Sequence, residues 1–458
     1  MLGKKEQSSN SGDNLPSLFS TPEMDAIFSL ASQLKCMTRF EWALSAALEV
    51  HGLCAQGAST AFEPLLDAAF IDNTALLHDA QRAGNLAIPF VGQLTAALCS
   101  INPAAAASLH LGATSQDVLD TALVLQMREA LQILRRDLDS LENHLLHLIR
   151  THSDTLLAGR TLLQDAPPVT LGLKLAGHVE TLRRHRQRLD ASARRALLLQ
   201  FGGATGTLAA LGEKGTAISA ELAGRLDLEE PRIPWHTHRD SLVELASNLA
   251  LLVGTLGKFA RDIALLMQTE VGEVLEPAGE GRGVSSTMPH KRNPVASAII
   301  LAAAERTPGL FSTLLTSMIQ EHERGLGGWH AEWETIPAIF RLTAVALARS
   351  IEIAAGLEVH PERMIANIDA TRGLVMAEAV SVALAAAMDR AQAHAILERA
   401  VARTQNENRH LREILLETPE VRASLSEAQL NRLFDPRQYL GSTRAWIARV
   451  TGDSDADR

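Results

Sequence analysis

Residues 242–266, LVELASNLALLVGTLGKFARDIALL, carry a large apolar side chain at every third or fourth position. These positions are Leu242, Leu245, Leu249, Leu252, Leu256, Phe259, Ile263 and Leu266. Because steps of three and four return to one face of an α-helix, the pattern predicts a helix that is packed along its whole length. At about 1.5 Å per residue, this helix would be roughly 37 Å long.

A second segment repeats this pattern earlier in the chain. Its apolar positions are Val124, Met127, Leu131, Leu134, Leu138, Leu141, Leu145 and Leu148. One small domain cannot cover two helices of this length, so we expect a helical bundle that is shared between subunits. Aromatic residues make up only 4% of the chain, which favours helices over sheets. We find no convincing strand ladder, and the predicted fold class is all-α.

The helical pattern also suggests a division of the chain into domains. Its register breaks around His360-Pro361, and an earlier break lies at Asn102-Pro103. We predict an N-terminal helical domain at residues 1–108, whose first 14 residues form a flexible tail. A central long-helix domain follows at 109–358, and a C-terminal helical domain occupies 359–458.

Composition excludes several classes of protein. The formal net charge of −10 argues against nucleic acid or an anionic membrane as a general partner. Cys36, Cys54 and Cys99 have no metal-ligand spacing, and their odd number fits a reducing cytoplasm better than a disulfide scaffold. The longest apolar run, 374–388, is too short to span a bilayer. We therefore expect a soluble, cytoplasmic protein.

The most chemically dense segment is GVSSTMPHKRNP at residues 283–294. It combines two hydroxyls, an imidazole, a lysine, an arginine and an amide behind a glycine-rich lead-in. Asn293 can cap a following helix, and Pro294 suits the first turn of that helix. A mobile loop with this many anion-binding donors is typical of a lid over a polyanionic substrate.

Two other segments supply polar groups of the same kind. The first, HLGATSQD at 110–117, comes directly before a long helix that Thr114 or Ser115 could cap. The backbone N–H groups at such a helix start attract anions. The second, GRTLLQDAPPVT at 159–170, offers the neutral donor Gln164, and its two prolines favour extended backbone.

Together the three segments resemble the fumarase/aspartase superfamily. They match its S-S-x-M-P-x-K-x-N, T-S-x-D-x-x-D-T and G-R-T-H-x-Q-x-A-x-P-x-T patterns, with two departures. Leu162 stands where the family has a histidine, and Ala298 where it usually has a glutamate. In fumarases and adenylosuccinate lyases, this pair is thought to protonate the leaving group. We expect the histidine and the glutamate to be lost together, because either one, buried without its partner, would destabilise the fold.

The two losses point to one reaction class within the superfamily. The conjugate acid of a carboxylate has a pKa of about 4, so a carboxylate leaves as the anion at neutral pH. A general acid therefore accelerates its departure little. The chain resembles the bacterial 3-carboxy-cis,cis-muconate cycloisomerases, in which a carboxylate adds across a double bond of the same molecule and forms a γ-lactone. Segments 200–206, 235–240, 320–324 and 329–335 carry the same resemblance, which runs from about Leu18 to Trp446.

This resemblance implies an assembly and a set of residue roles. The expected enzyme is a homotetramer with a twenty-helix core, active sites shared between subunits, and no metal or organic cofactor. It would form 4-carboxymuconolactone in the protocatechuate branch of aromatic catabolism. Ser285 would move the proton, and Lys291 would stabilise the enolate-like intermediate as the second catalytic residue. Candidate substrate contacts are Thr114, Ser115, Gln164, Gln200, Arg239, Ser286, Met288, Arg292, Asn293, His110 and His290.

Several alternatives stay open at this point. Arg292 could hold the loop's own structure, His110 could be structural, and Ser286 could replace Ser285. The same fold and loop could serve an adenylosuccinate- or argininosuccinate-type lyase, although those leaving groups need the missing acid. A sulfonated or otherwise substituted muconate could be the substrate, since Leu162 could open the pocket. A non-enzymatic structural protein, of the kind that some lens crystallins represent, is opposed by intact Ser285 and Lys291.

Overall fold

The computed structural model describes residues 18–279, 283, 288 and 291–453, and these form an almost wholly helical protein. The all-α prediction is confirmed. The α-helices in chain order are α1 Pro22–Ile27, α2 Leu30–Val50, α3 Asn73–Ala83, α4 Ala87–Ile101, α5 Pro103–Ala107, α6 Ser115–Thr151, α7 Leu171–Ala196, α8 Gly215–Leu226, α9 Asp240–Leu266, α10 Val295–Ser317, α11 Gly328–Gly356, α12 Pro361–Ala370, α13 Ala377–Ala387, α14 Arg390–Glu407, α15 Leu411–Glu417, α16 Pro419–Ser424, α17 Glu427–Leu433 and α18 Thr443–Thr451.

The two apolar patterns lie on the long helices α6 and α9. All sixteen predicted positions, from Val124 to Leu148 on α6 and from Leu242 to Leu266 on α9, are buried. Helix α6 has 37 residues, so at about 1.5 Å per residue it is roughly 55 Å long. Burying one apolar side chain at each turn stabilises helices that would be marginal alone.

The predicted break at Asn102-Pro103 is a helix start. The Asn102 side chain accepts hydrogen bonds from the backbone N–H groups of Ala104 and Ala105, which α5 leaves unpaired at its N-terminus. Pro103 occupies the first helical position, where its missing N–H costs nothing.

The structure contains short strands, so the prediction of no strand ladder was wrong. Strand β1 (Leu156–Thr161) pairs antiparallel with β2 (Gln164–Thr170), and β3 (Val274–Leu275) pairs with β4 (Glu358–Val359). Leu162 and Leu163 form the turn between β1 and β2, with φ values of 51° and 63°. Left-handed backbone costs a non-glycine residue roughly 1–2 kcal/mol, and Asn-Gly is the usual pair here. The turn was missed because its residues carry no turn signal.

The chain folds into two compact units, each built from three separate stretches. The first unit comprises residues Met1–Asp137, His185–Gly254 and Ala302–Ala348. The second comprises Leu138–Arg184, Thr255–Leu301 and Arg349–Arg458. The three consecutive domains suggested by the sequence are a different division, and they stay a prediction.

The most membrane-like helix is not the apolar run chosen from the sequence. Helix α10 (Val295–Ser317) is the one described helix that is long and apolar enough to cross a bilayer alone, and only 22% of its most apolar window is buried. The run at 374–388 instead follows a sharp bend after α12, with 81° between the two helical segments. One such helix is weak evidence for a membrane, because a helix packed in an assembly has the same composition.

Candidate active site

Asp117, in the first turn of α6, is the centre of a buried polar cluster in the first unit. Its carboxylate accepts hydrogen bonds from side chains and backbone amides of three different segments. These donors are Thr114 N (3.0 Å), Gln200 Nε2 (3.0 Å), Gly202 N (3.1 Å), Gly203 N (2.9 Å) and His236 Nε2 (2.8 Å). Asp117 therefore ties the segments at 114, 200–203 and 236 together at the start of α6.

The glycines of this cluster are required by close approaches. A Cβ atom on Gly202 would lie 2.7 Å from the His236 ring, closer than real Cβ contacts. Gly203 has φ +70°, and a Cβ there would lie 2.8 Å from the carbonyl oxygen of Gly112. The segment at 200–206 thus packs against the turn that precedes α6.

Arg239 lies between two buried carboxylates, those of Glu332 and of Asp120, which is one helical turn after Asp117 on α6. Its guanidinium donates to Asp120 (Nη1–Oδ2 2.7 Å) and to Glu332 (Nε–Oε1 3.0 Å), and its side chain is completely buried. Burial lowers the pKa of Arg239, but the two carboxylates outweigh burial and raise it. Burial raises the pKa of Glu332 despite the opposing effect of Arg239. Asp120 also accepts from Trp329 Nε1 (2.9 Å) and Gln116 Nε2 (3.0 Å).

These contacts correct two predicted substrate contacts. Arg239 is inaccessible and directs its donors to Asp120 and Glu332, so it supports the site from beneath. Gln200 is equally buried, because its amide donates to Asp117 and accepts from the backbone N–H of Trp235 (2.8 Å). Both residues were predicted to contact substrate, because the carboxylates that they bind come from distant parts of the chain.

Thr114 and Ser115, at the N-terminus of α6, are partly accessible, as a binding role requires. The backbone N–H of Thr114 donates to Asp117, which closes the first turn. Arg324, from the segment between α10 and α11, donates to Thr114 Oγ1 (2.8 Å) and Gln116 Oε1 (2.7 Å). The segment at 320–324 carries part of the resemblance described above, but no role was predicted for Arg324. A lone arginine in a polar stretch gives no signal of what it faces.

His110 forms a pair with a buried carboxylate. Its Nδ1 lies 2.5 Å from Oε1 of Glu41 on α2, whose side chain is inaccessible to solvent. Burial lowers the pKa of His110, but the charge of Glu41, their hydrogen bond and nearby Asp117 raise it above its ordinary value. His110 also has a positive φ of 61°, which is uncommon for a non-glycine residue. The ring is therefore held in one place and favours the charged form.

The variant Glu41→Gln is expected to lower the pKa of His110, because it removes the charge that opposes burial. Histidine side-chain NMR titration of the two proteins would measure this shift. In the wild type, a raised pKa stabilises the fold below the unfolded-state value, and the contribution disappears as pH rises through the folded-state pKa. An unchanged pKa in the variant would contradict the assignment, and His394, exposed beside Glu398, serves as an internal reference.

In the second unit, the structure describes only part of the predicted loop. Ser285, Ser286 and His290 lie outside the described residues. Met288 is 42% exposed, and Lys291 is exposed. Asn293 donates from its backbone N (3.0 Å) and from Nδ2 (3.2 Å) to the carbonyl oxygen of Gly283, so it joins the two ends of the loop.

The start of α10 differs from the expected capping by Asn293. Glu276 supplies the cap, because its carboxylate accepts from the backbone N–H groups of Ala296 (3.0 Å) and Ser297 (2.8 Å). Arg292 pairs with Glu358 through two hydrogen bonds of 2.7 and 2.8 Å and also donates to the Glu276 carbonyl oxygen. Of its two predicted roles, this geometry favours holding the loop's own structure over contacting substrate.

The hairpin carries the third predicted segment. Gln164 begins β2 and is exposed, and the turn residue Leu162 has 97% of its surface exposed. Arg160 on β1 donates to the buried Glu273 (2.7 and 2.9 Å) and thereby fixes the hairpin close to its turn. Ala298, the other departure from the family pattern, is exposed in the first turn of α10. Within the described parts of the chain, no group of three or more His, Cys, Asp or Glu side chains is arranged to hold a metal ion.

Known proteins that resemble this chain match it over nearly its whole length. The family model described as "Lyase" matches residues 21–309, and "Adenylosuccinate lyase C-terminus" matches 373–450. The 3-carboxy-cis,cis-muconate cycloisomerase of Pseudomonas aeruginosa is 51% identical over 438 residues, 96% of this chain and 95% of that protein. The enzyme of the same name from Pseudomonas putida is 50% identical over 413 residues, 90% of this chain and 98% of its own. The crystal structure of the P. putida 3-carboxy-cis,cis-muconate lactonizing enzyme superposes with a TM-score of 0.91 at 50% identity, covering 95% of this chain and 97% of that one.

Proposed function

Because this chain belongs to the fumarase/aspartase superfamily, we propose that it is a cycloisomerase that converts 3-carboxy-cis,cis-muconate into the γ-lactone 4-carboxymuconolactone. The observation that carries this proposal is identity of about half over nearly the whole length with enzymes of that name. The proposed context is the protocatechuate branch of aromatic catabolism, in the cytoplasm.

The reaction needs one C–O bond and one C–H bond to form within a single molecule. A substrate carboxylate oxygen attacks one carbon of a double bond, and negative charge develops on the neighbouring carbon and on the carboxylate attached to it. Ser285 donates a proton to that carbon, and the reverse reaction removes the proton. Lys291 and Asn293 hold the carboxylate whose charge increases, which lowers the barrier electrostatically. As fully protonated acids, substrate and product are isomers. Because the attacking group is a carboxylate anion, each turnover also takes up one proton from water, which restores the Ser285 hydroxyl, and no other co-reactant is required.

Further contacts are proposed to orient the three carboxylates of the substrate. Thr114, Ser115 and Gln164 are accessible neutral donors in the described parts of the predicted segments. His110 adds an imidazole whose position is fixed by Glu41 and whose pKa is raised by that carboxylate against the effect of burial. Ser286, Met288 and His290 stay proposed contacts on the strength of the loop sequence alone.

Restoring the family's acid pair is expected to leave the rate of lactonisation unchanged. The double variant Leu162→His, Ala298→Glu returns a group that protonates the leaving group. A carboxylate leaving group, with a pKa of about 4, does not need this protonation. Both positions are exposed in the single chain, so the change should be tolerated. Steady-state kinetics of the double and both single variants would measure the effect. A large rate increase would show that protonation is limiting and that the leaving-group argument is wrong.

The active form is proposed to be a homotetramer whose sites are shared between subunits. Helix α10 leaves most of its apolar surface uncovered in the single chain, and Leu162 and Leu163 expose apolar side chains on a strained turn. Burial of these surfaces against other copies would remove the exposed apolar area from water and would offset the strain of the turn. Light scattering should give a mass of four 49.4 kDa chains, whereas a monomer would contradict shared sites.

The deciding experiment follows the ultraviolet absorbance of the conjugated diene when purified protein meets 3-carboxy-cis,cis-muconate. Adenylosuccinate, argininosuccinate, fumarate and a sulfonated muconate are run in parallel. Fast and selective loss of the carboxymuconate diene is expected. Preference for the sulfonated compound would change the substrate and keep the chemistry. Cleavage of a succinyl compound, with no lactonisation, would mean that another group replaces the missing acid and that the proposed function is wrong.

A further inference from the structure

The first unit contains a cavity of about 570 Å³ between α1, α2, α6 and α8. Lys35, Arg39 and Trp42 line it from α2. Because these three positions are four and three residues apart, they lie on one face of the helix. Glu129 on α6 and Arg225 on α8 complete the polar part of the wall. A volume of this size is within the range of small-molecule sites, which is about 300–1,000 Å³.

Positive charges exceed negative ones around this cavity. Arg225 pairs with Glu221 at 2.8 Å, and Glu129 is the one carboxylate among the lining residues that the structure describes. The side chains of Lys35 and Arg39 form no hydrogen bond or ion pair with any described residue. Three cations therefore face two carboxylates, in a chain whose formal net charge is −10. A local positive charge on an acidic protein attracts a small anion to this place.

The arginine from α8 also has a donor without a partner. The Nε atom of Arg225 is buried, and no acceptor among the described residues lies within hydrogen-bond distance of it. Its lost hydration is therefore not compensated by the protein. An acceptor group placed in the cavity would supply the missing partner after a small rotation of the guanidinium.

Part of the wall is apolar and aromatic. Cys36 is buried, and burial, with a smaller effect of Glu129, raises the pKa of its thiol to about 12, so the thiol stays neutral. The Trp42 indole is partly exposed, and its N–H donates to no acceptor in the part of the chain that the structure describes. An indole offers a flat face to another ring and a donor at its edge. A hydrated inorganic ion uses none of this surface, whereas a flat organic anion uses both the ring and the cations.

The cavity is separate from the candidate active site. Glu129 follows Ser115 by 14 positions on α6, which at about 1.5 Å per residue places them roughly 21 Å apart. None of the proposed substrate contacts lines the cavity. A molecule the size of a muconate therefore does not reach both places.

We propose that this cavity is a second ligand site, which binds an aromatic carboxylate. The carboxylate contacts Lys35 and Arg39, and the ring packs against Trp42 and Cys36. The site does not depend on the reaction that the protein catalyses, because none of these residues belongs to the candidate active site.

Titration calorimetry on the purified full-length protein tests the site with benzoate as the probe. Benzamide keeps the ring without the charge, and cyclohexanecarboxylate keeps the charge without the aromatic ring. Loss of the charge-assisted contacts should weaken the binding of benzamide at least about 10-fold relative to benzoate. Loss of stacking on Trp42 should weaken cyclohexanecarboxylate by about 2- to 10-fold. Equal affinities for benzoate and benzamide would overturn the proposal.

Two variants locate the binding. Arg39→Met keeps the length of the side chain and should weaken benzoate by about 10- to 100-fold while the affinity for benzamide stays the same. Arg39→Lys should recover part of the loss. Trp42→Leu should weaken benzoate and leave cyclohexanecarboxylate almost unchanged. Equal losses for the charged and the neutral ligand in Arg39→Met, or no loss for either, would contradict a contact between Arg39 and the carboxylate.

The matched control is Arg403→Met, which removes an exposed arginine that pairs with Glu407 and Glu417. It should leave all three affinities unchanged. Lactonisation is measured separately and without benzoate, and Arg39→Met should turn over as fast as the wild type. A loss of turnover in this variant would place Arg39 in the active site and refute a second site. If the wild type itself does not lactonise, the proposed function fails, whereas the binding results still decide this inference.

Discussion

Replacing Ser285 by alanine is expected to lower turnover of 3-carboxy-cis,cis-muconate by about two to four orders of magnitude, the usual contribution of a general acid or base. The hydroxyl delivers the proton that completes the lactone, and alanine cannot replace it. The Michaelis constant should change far less, because Lys291, Asn293 and the donors at Thr114 still bind the carboxylates. Steady-state kinetics from the loss of diene absorbance measure both parameters.

Ser286→Ala is the matched control, since it removes an identical group one position along. If Ser285 moves the proton, this neighbour should keep a rate within about tenfold of the wild type. That limit is the size of one lost neutral hydrogen bond. Near-wild-type turnover of Ser285→Ala, together with a collapse in Ser286→Ala, would exchange the two roles. Loss in neither variant would remove the serine mechanism.

Arg239→Met is expected to destabilise the protein by about 3–5 kcal/mol, the usual cost of breaking a buried ion pair from one side. Methionine fills the space but leaves Asp120 and Glu332 as two neighbouring buried carboxylates without a cation. Protonation relieves this repulsion. A carboxyl whose folded-state pKa is raised loses stabilising effect as pH rises, so the deficit should shrink as pH is lowered. Denaturant midpoints at several pH values measure it.

Arg135→Met provides the comparison at a solvent-exposed pair. Arg135 lies 2.8 Å from Asp190, and both side chains are about two-fifths exposed. Such pairs contribute at most about 1 kcal/mol, so the midpoint should barely move. Equal destabilisation by the two variants would contradict the view that the Asp120–Arg239–Glu332 cluster is the buried support of the site.

The long helices could be predicted because their signal is local and repeated. Each turn of α6 and α9 carries its own apolar residue, so a window of a few residues already reports the face that is buried. The hairpin from Leu156 to Thr170 gave no such signal. Its turn uses two leucines where Asn-Gly is usual. Its strands, LLAGRT and QDAPPVT, lack the β-branched and aromatic residues that reveal a strand, and β2 contains two prolines.

The predicted site residues also differ in how well the sequence identified their surroundings. Thr114 and Ser115 were predicted as substrate contacts from their match to the superfamily's T-S pattern, and the structure leaves both partly accessible. Arg239 and Gln200 were misassigned because a donor that faces substrate and one that faces a buried carboxylate look alike in a sequence. No role was predicted for Arg324, because its hydrogen-bond partners lie about two hundred positions away in the sequence.

By itself, the amino-acid sequence determined the all-helical class, the two long buried helix faces, the superfamily and the absence of the His–Glu acid pair at 162 and 298. These are properties of residue type and local spacing, and they do not depend on what lies nearby in space. Tertiary structure alone decided that Asp117 joins three segments, that Arg239 is neutralised from both sides, that Glu276 caps α10 and that Arg324 pairs with no carboxylate of the described residues. A charge acquires its role from the groups within a few ångströms of it, and folding brings those groups from distant parts of the chain.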